Sequence, residues 1–295
     1  ATPQVVLSAS AAVFDAWFMD LAVVLGTGGR MLRLRAVDLA EPGYLSAIAE
    51  AEGATYMDLT PSVWRAALAG GFRPGAGMHL VTGGEALDAG LAQSLVAHGA
   101  SLYNSYGPTE ATVVAIGTPI SLEDGVIPAT IPIGHPLPGT TAHVLDARLE
   151  PVPMGVAGEL WLGGGQVGAG YLGRPDLTAA AFAADPFSDV PGARMYRTGD
   201  LVRRGPQGLT FLGRVDGQIK IRGQRVEPGE IEAALAALPG IAAAAVSLSP
   251  EGVLQAFLVP EGVAGDDGAP FDLTPHLDLA ALRARLRASL PEHMT

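Results

Sequence analysis

Short apolar runs alternate with segments of helical spacing up to about Ile120, and this alternation limits the possible folds more than any other feature. Met31 to Leu34, Gly53 to Met57, Met78 to Thr82 and Ser101 to Asn104 read as short strands, with Gly28-Gly29 and Gly83-Gly84 as breaks. Leu45 to Ala51 and Leu87 to His98 read as helices, the second with Leu87, Leu91 and Leu95 on one face. Strands spaced by helices predict a parallel α/β sheet. Hydrophobic residues make up 48% of the 295, enough to bury a sizeable core.

Beyond Val126 the texture changes. Pro and Gly recur at short intervals as far as Leu212. The runs between them are brief and β-like: Ala142 to Leu145, Glu159 to Leu162 and Leu209 to Leu212. A third texture follows Asp216. Gly229 to Leu238 has helical spacing and stops at Pro239-Gly240. Ile241 to Leu248 and Gly252 to Val259 read as strands, and Gly262 to Pro270 as a Gly-rich linker. Asp278 to Leu290 reads as a helix with Leu279, Leu282, Leu286 and Leu290 aligned. The expected organisation is an α/β subdomain over residues 1–125, a small β-rich, barrel-like subdomain over 126–215 and an α+β subdomain over 217–295.

Charge and composition narrow the function. Net charge is -12, from 18 basic and 30 acidic residues, a poor match for the phosphate backbone of nucleic acid. There is no cysteine, which excludes disulfides, thiolate metal sites and a cysteine nucleophile within this sequence and is compatible with a reducing cytoplasm. The longest apolar stretch, Ala11 to Leu25, is interrupted by Asp15 and Asp20, so no membrane span is expected. No secretion signal is visible. Lys220 is the single lysine. A GC-rich genome explains why lysine is scarce but not where this one sits.

Four segments carry candidate chemistry. Asn104-Ser105-Tyr106-Gly107-Pro108-Thr109-Glu110 sets an amide, a ring, a hydroxyl and a carboxylate around a sharp Gly-Pro turn. Those groups could bind and stack on a base, hold a phosphate oxygen and coordinate a metal, or merely form a strand-to-loop turn. Tyr196 to Leu201 offers Asp200, a carboxylate able to accept from both hydroxyls of a ribose or to sit solvated in a β-turn. Gly213 to Glu232 mixes acidic and basic residues with glycines around Lys220, as a hinge or a salt-bridged loop would. Gly158 to Tyr171 is glycine-rich but lacks the Gly-Lys-Ser/Thr ending of a P-loop, so tight β-turns are the better reading of it alone.

In this order and spacing, these segments resemble the adenylate-forming enzyme superfamily, and above all the amino-acid-activating adenylation domains of nonribosomal peptide synthetases. Phe14-Asp15-Ala16 and Leu290-Pro291-Glu292-His293-Met294 are two further matches. The family's phosphate loop with its lysine is expected upstream of residue 1, and its catalytic lysine downstream of Thr295. The matched region is thus a middle-to-late segment, with a truncated, mobile C-terminal lid. Departures are Gly168-Ala169-Gly170, where the family usually has Ala-Arg-Gly, and Trp17, where it commonly has Ser.

The resemblance implies roles. ATP would be held by Gly83, Gly84, Asn104, Ser105, Tyr106 and Gly107, with Asn104 and Tyr106 at adenine, Asp200 on the ribose diol and Arg214 on ribose or phosphate. Thr109 would meet the phosphate and Glu110 the Mg²⁺. Asp216 would be the hinge, and Lys220 and Gly223 would belong to the face presented for thioester formation. Asp15 would accept the substrate α-ammonium, since an ammonium in a pocket needs an anionic partner. The competing reading of Asp15 is a helix N-cap. Ala16, Met19, Asp58, Val81, Gly83, Ser105, Val113 and Val114 would line the side-chain pocket. Asp58 favours a cationic or hydroxyl-bearing side chain, such as that of lysine, ornithine or arginine. Alternatively Asp58 caps or salt-bridges elsewhere and the substrate is aliphatic or modified.

The implied reaction makes aminoacyl-AMP and passes the acyl group to the phosphopantetheine thiol of a peptidyl carrier protein. A condensation domain, and an MbtH-like helper left open, would be further partners. The rivals are an acyl or aryl acid–CoA ligase, which has no use for Asp15, and a catalytically incomplete binding module.

Overall fold

The computed structural model describes residues 2–35, 38–39, 41, 43–121, 127–215, 218–221, 224–249, 253–260, 279–291 and 294. The chain divides into two compact units, Ala1–Val215 and Asp216–Thr295.

The first unit begins with β1 (Val5–Ser8), α1 (Ala16–Thr27), β2 (Arg30–Arg33), α2 (Tyr44–Glu52), β3 (Tyr56–Asp58), α3 (Pro61–Ala69), β4 (His79–Gly83), α4 (Ala89–Val96) and β5 (Ser101–Tyr106). A 3₁₀ turn over Thr109–Ala111 leads to β6 (Ile116–Ile120) and β7 (His135–Pro136). The seven strands form one sheet in the order β2-β1-β3-β4-β5-β6-β7. β1 to β5 are parallel; β6 pairs antiparallel with β5, and β7 antiparallel with β6. The predicted parallel sheet is therefore present.

Local chemistry sets the helix ends. Gly28 stops α1 in a left-handed cap with φ 67°, and Gly53 stops α2 in the same way at φ 63°. Pro61 opens α3 where a missing N–H costs nothing. Asp88 caps α4 by accepting from the Leu91 amide at 2.9 Å.

Side-chain alternation divides the sheet into two faces. Leu7, Met57, Leu80 and Leu102 face a core with Leu45, Trp64, Leu91 and Leu95 of α2, α3 and α4. Val6, Tyr56 and Val81 face the other way, against Met19, Val23 and Val24 of α1. The chain thus crosses one face after β1 and the opposite face in the connections that follow.

The rest of this unit comprises β8 (Thr140–Leu145), β9 (Ala157–Gly164), α5 (Pro175–Ala181), β10 (Phe182–Ala184), β11 (Arg194–Gly205) and β12 (Gly208–Arg214). The strands form a five-stranded antiparallel sheet in the order β10-β11-β9-β8, with β12 also on β11. The β-rich expectation holds, but the barrel does not: β8 stays an edge strand, and no barrel closes among the described residues. The pairing that would close one depends on contacts that Gly/Pro spacing does not encode. The two sheets share a core of Tyr106, Ile116, Ile133, Leu160, Leu162, Val202 and Leu209.

The second unit holds the hairpin β13 (Ile219–Ile221) and β14 (Gln224–Val226), α6 (Pro228–Ala236), the hairpin β15 (Ile241–Leu248) and β16 (Leu254–Pro260), and α7 (Leu279–Ser289). Its core gathers Val226, Ile231, Leu235, Leu286, Leu290 and Met294. No helix among the described residues is long and apolar enough to cross a membrane.

Candidate functional site

In an open parallel sheet, ligands bind beyond the carboxyl ends of the strands where the strand order reverses. Here the reversal lies between β1 and β3. Asp15 and Ala16 follow β1, Asp58 ends β3, and Gly83 ends β4 with Gly84 next. Ser105 and Tyr106 end β5, and Gly107 to Glu110 follow it. One rim of one sheet therefore carries most of the residues singled out in the sequence. By alternation Asp58, Val81, Gly83 and Ser105 share the face against which Met19 of α1 packs.

Gly83 is required by close approach. A Cβ there would lie 2.6 Å from the Ser105 carbonyl oxygen and closer still to its hydroxyl. Gly83→Ala is expected to lose about 1–3 kcal/mol of stability, read by urea unfolding. Ser105→Ala in the same protein should not restore it, because the carbonyl remains. The Ser105 hydroxyl donates to the Thr82 carbonyl at 3.0 Å. Asn104 is buried and donates to the Pro132 carbonyl at 2.8 Å, which engages its amide nitrogen and leaves its carbonyl as the side-chain acceptor.

Asp200 is 3% exposed, not the solvated turn residue that its sequence allowed. The Tyr106 hydroxyl donates to its Oδ2, and Arg214 Nη1 donates to its Oδ1 at 2.6 Å. Register shifts in the pairing of β11, between Arg197 and Leu201 and between Leu201 and Val202, put Asp200 in an irregular stretch with Gly199 at φ 72°. Such bulges re-aim a side chain. The Thr198 hydroxyl donates to the Leu160 carbonyl at 2.7 Å and accepts from the Asp200 amide at 3.0 Å, fixing the bulge. Burial, reinforced by the Asp200 carboxylate, keeps the Tyr106 phenol protonated far above its ordinary range.

Asp15 stands at the N-cap of α1, but its side chain caps no amide. It accepts from the Thr109 hydroxyl at 2.6 Å. Glu110, next to Thr109, accepts from the Tyr171 hydroxyl at 2.5 Å through Oε1. The glycine-rich loop docks on the same turn. The Gly168 amide donates to the Glu110 carbonyl at 2.8 Å, and the Thr112 hydroxyl donates to the Gln166 carbonyl at 2.7 Å. Where the family's arginine is missing, Arg194 Nη1 donates to the Ala169 carbonyl at 2.6 Å. Burial, then the Glu110 bond, push the Tyr171 phenol far above its usual pKa.

Thr112 and Val113 are both left-handed, with φ 57° and 67°. A β-branched residue there is strained, and strain of this kind concentrates at ligand clamps. Gly107 makes room for the strained loop, since a Cβ would lie 2.8 Å from the Ala115 amide nitrogen. Val113 and Val114 are half-buried beside this turn.

Asp58 makes no hydrogen bond or ion pair among the described residues, and the cap of α3 falls to Thr60 instead. Burial, then the nearby Asp20 carboxylate, raise its pKa to about 7. Lys220 lies in β13 opposite Arg225, in the second unit. Asp216 and Gly223, and Glu292 and His293 of the C-terminal match, fall outside the described residues. Two residues were not singled out in the sequence: Tyr171, which only closed a glycine-rich motif, and Asp20, which only interrupted an apolar run.

A family model described as AMP-binding enzyme matches residues 2–172. The chain is 39% identical over 291 residues to a dimodular nonribosomal peptide synthase of Bacillus subtilis (strain 168), covering 98% of this chain and 12% of that protein. Among solved structures, the crystal structure of IdnL1 superposes with a TM-score of 0.80 at 32% identity, over 99% of this chain and 59% of that one. A four-domain nonribosomal peptide synthetase, AB3403, bound to AMP and glycine, superposes with a TM-score of 0.65 at 33% identity, over 99% of this chain and 21% of that one. The chain thus spans a small part of the curated relative and just over half of the first of these structures.

Proposed function

Because the chain belongs to the AMP-binding enzyme family, and within it to the adenylation domains of nonribosomal peptide synthetases, we propose that it serves to activate an amino acid with ATP and to pass it to a carrier-protein thiol. The observation that carries this reading is a pair of hydrogen-bonded groups within one compact unit, Asp15 with Thr109 and Asp200 with Tyr106 and Arg214, with Thr109 following Tyr106 by three residues and Glu110 next to Thr109. A nucleotide and an amine need those groups side by side.

The first half-reaction is attack by a carboxylate oxygen of the amino acid on the α-phosphorus of ATP. The bond to the bridging oxygen breaks and pyrophosphate leaves with its electron pair. No protein nucleophile is required, so positioning and charge stabilisation do the work. Asp15 receives the α-ammonium, which draws the carboxylate forward and frees the Thr109 hydroxyl to donate to a phosphate oxygen. Asp200 holds the ribose diol on its remaining lone pairs. Arg214 fixes that acid and adds positive charge nearby, and the Tyr106 ring flanks adenine. Glu110, steadied by Tyr171, fits Mg²⁺, which with ATP commonly takes one or two carboxylates plus phosphate oxygens. When bound, that ion neutralises charge developing on the phosphates.

In the second half-reaction the phosphopantetheine sulfur of a peptidyl carrier protein attacks the acyl carbon and AMP leaves. The unit beyond Asp216 turns about that residue as a lid, with Lys220 on the face it presents. A condensation domain then takes the acyl group, and an MbtH-like protein is a candidate helper. Cytoplasmic ATP supports the first step.

Asp58 in the pocket supports a basic amino acid. The test is ATP–pyrophosphate exchange across an amino-acid panel, with the parent protein and Asp58→Ala. A preference for lysine, ornithine or arginine should fall roughly ten- to hundredfold in the variant. A basic preference that survives the substitution overturns the assignment of Asp58.

A further inference from the structure

Behind Asp58 lies a group of buried polar atoms that the reaction above does not use. Asp20, on α1, has no solvent exposure, and neither of its carboxylate oxygens accepts a hydrogen bond. The hydroxyls of Ser8 and Tyr56, both buried, are also without partners. Ser8 lies beside Asp20 and lowers its pKa without closing a hydrogen bond of normal geometry. Buried polar atoms are nearly always paired, and an unpaired buried carboxylate is the most unfavourable kind to leave so.

The sheet brings this group to the strand-order reversal. β1 pairs with β3 through Val6 opposite Tyr56 and Leu7 opposite Met57. The next step of that register sets Ser8 beside Asp58, on the face covered by α1. Asp20 and Asp58 lie within electrostatic reach of each other. Arg33, on β2, also acts on Asp20 but is exposed and forms no ion pair with it.

On the amino-acid-activation reading above, we infer that Asp20 is a second specificity-determining carboxylate, and that Asp20 and Asp58 together receive the terminal primary ammonium of the substrate side chain. The acceptors come from three separate elements, α1, β1 and β3. An ammonium has three donors pointing in different directions and can meet such a set. A guanidinium is a flat fork that suits one carboxylate taken bidentately. Lysine and ornithine therefore fit better than arginine, and an isosteric apolar chain leaves two acids unpaired.

Without ligand, burial raises Asp20 to about 6 and Asp58 to about 7, so near neutrality the pair retains part of a proton. The groups facing the pair are Ser8 and Tyr56, themselves uncharged, and Arg33. An incoming ammonium lowers both carboxyl pKa values and expels that proton.

The test uses the full-length protein that carries this chain, in ATP–pyrophosphate exchange with lysine, ornithine, arginine and norleucine. The parent should favour lysine or ornithine over norleucine by roughly a hundredfold in kcat/KM, and Asp20→Asn should cut that preference about tenfold, mainly through KM. Intact discrimination in Asp20→Asn alongside its loss in Asp58→Asn overturns the role of Asp20. So does a parent that prefers norleucine or arginine. Absence of exchange with every amino acid, in a parent that still binds ATP, overturns the activation reading itself and this inference with it. A second measurement needs no variant: calorimetry at pH 6.5 in two buffers of different ionisation enthalpy. Lysine should bind with net proton release and norleucine with none; equal proton counts overturn the inference.

Discussion

An Asp15→Ala protein should lose amino-acid-dependent ATP–pyrophosphate exchange by roughly two to three orders of magnitude, because a desolvated ammonium deprived of its anion costs about 3–5 kcal/mol. The loss should appear mainly in the KM for the amino acid. ATP affinity, measured by equilibrium dialysis, should change little, since Tyr106, Asp200 and Arg214 are untouched. The Thr109 hydroxyl would lose its present acceptor, but it remains able to donate to a phosphate oxygen. Full activation by Asp15→Ala would favour an acid lacking an amino group, and with it the acyl or aryl acid–CoA ligase alternative.

Asp200→Ala should affect both folding and nucleotide binding. Arg214 and Asp200 have side chains only 9% and 4% exposed, so the substitution takes a buried anionic partner from the guanidinium. Breaking such a pair from one side costs about 3–5 kcal/mol, a large share of the stability of an ordinary domain. A clear fall in Tm by calorimetry is the expected result. Replacing Arg214 with Met in the same protein should recover part of the stability, because it takes the buried charge away along with its lost anion. It should not recover ATP binding, since the ribose acceptor is still missing. An Asp200→Ala protein that melts with the parent would mean that Arg214 finds another partner.

Much of the first sheet was legible because its strands are apolar runs broken by glycine. β1 escaped notice because no glycine marks either of its ends. The apolar residues of α1 surround most of its circumference, so the run was weighed as a membrane span rather than a helix. Pro61 after Thr60 signals the start of α3, and that signal went unused. β11 runs for twelve residues, yet Arg197, Gly199, Asp200, Arg203 and Arg204 break its alternation and hid its length. The barrel expectation failed for a different reason: strand neighbours are chosen by contacts between distant residues.

At the site, Asp15, Thr109, Glu110, Tyr106, Asp200 and Arg214 were singled out through the resemblance; the structure bonds Asp15 to Thr109 and Asp200 to both Tyr106 and Arg214, while Glu110 bonds to Tyr171. The bond from Tyr171 to Glu110 links residues 61 apart and leaves no local mark in the sequence. Asp20 was visible only as a flaw in an apolar helix. Burial turns the same flaw into a candidate ligand.

The bond from Tyr106 to Asp200 bridges 94 residues and ties β5 to β11. During synthesis the first sheet leaves the ribosome with its aromatic ring in place and nothing yet for its hydroxyl to grip. That grip forms only when β11 and β12 have been made and docked. The acceptor that we propose for the ribose is therefore among the last parts of the first unit to fall into place.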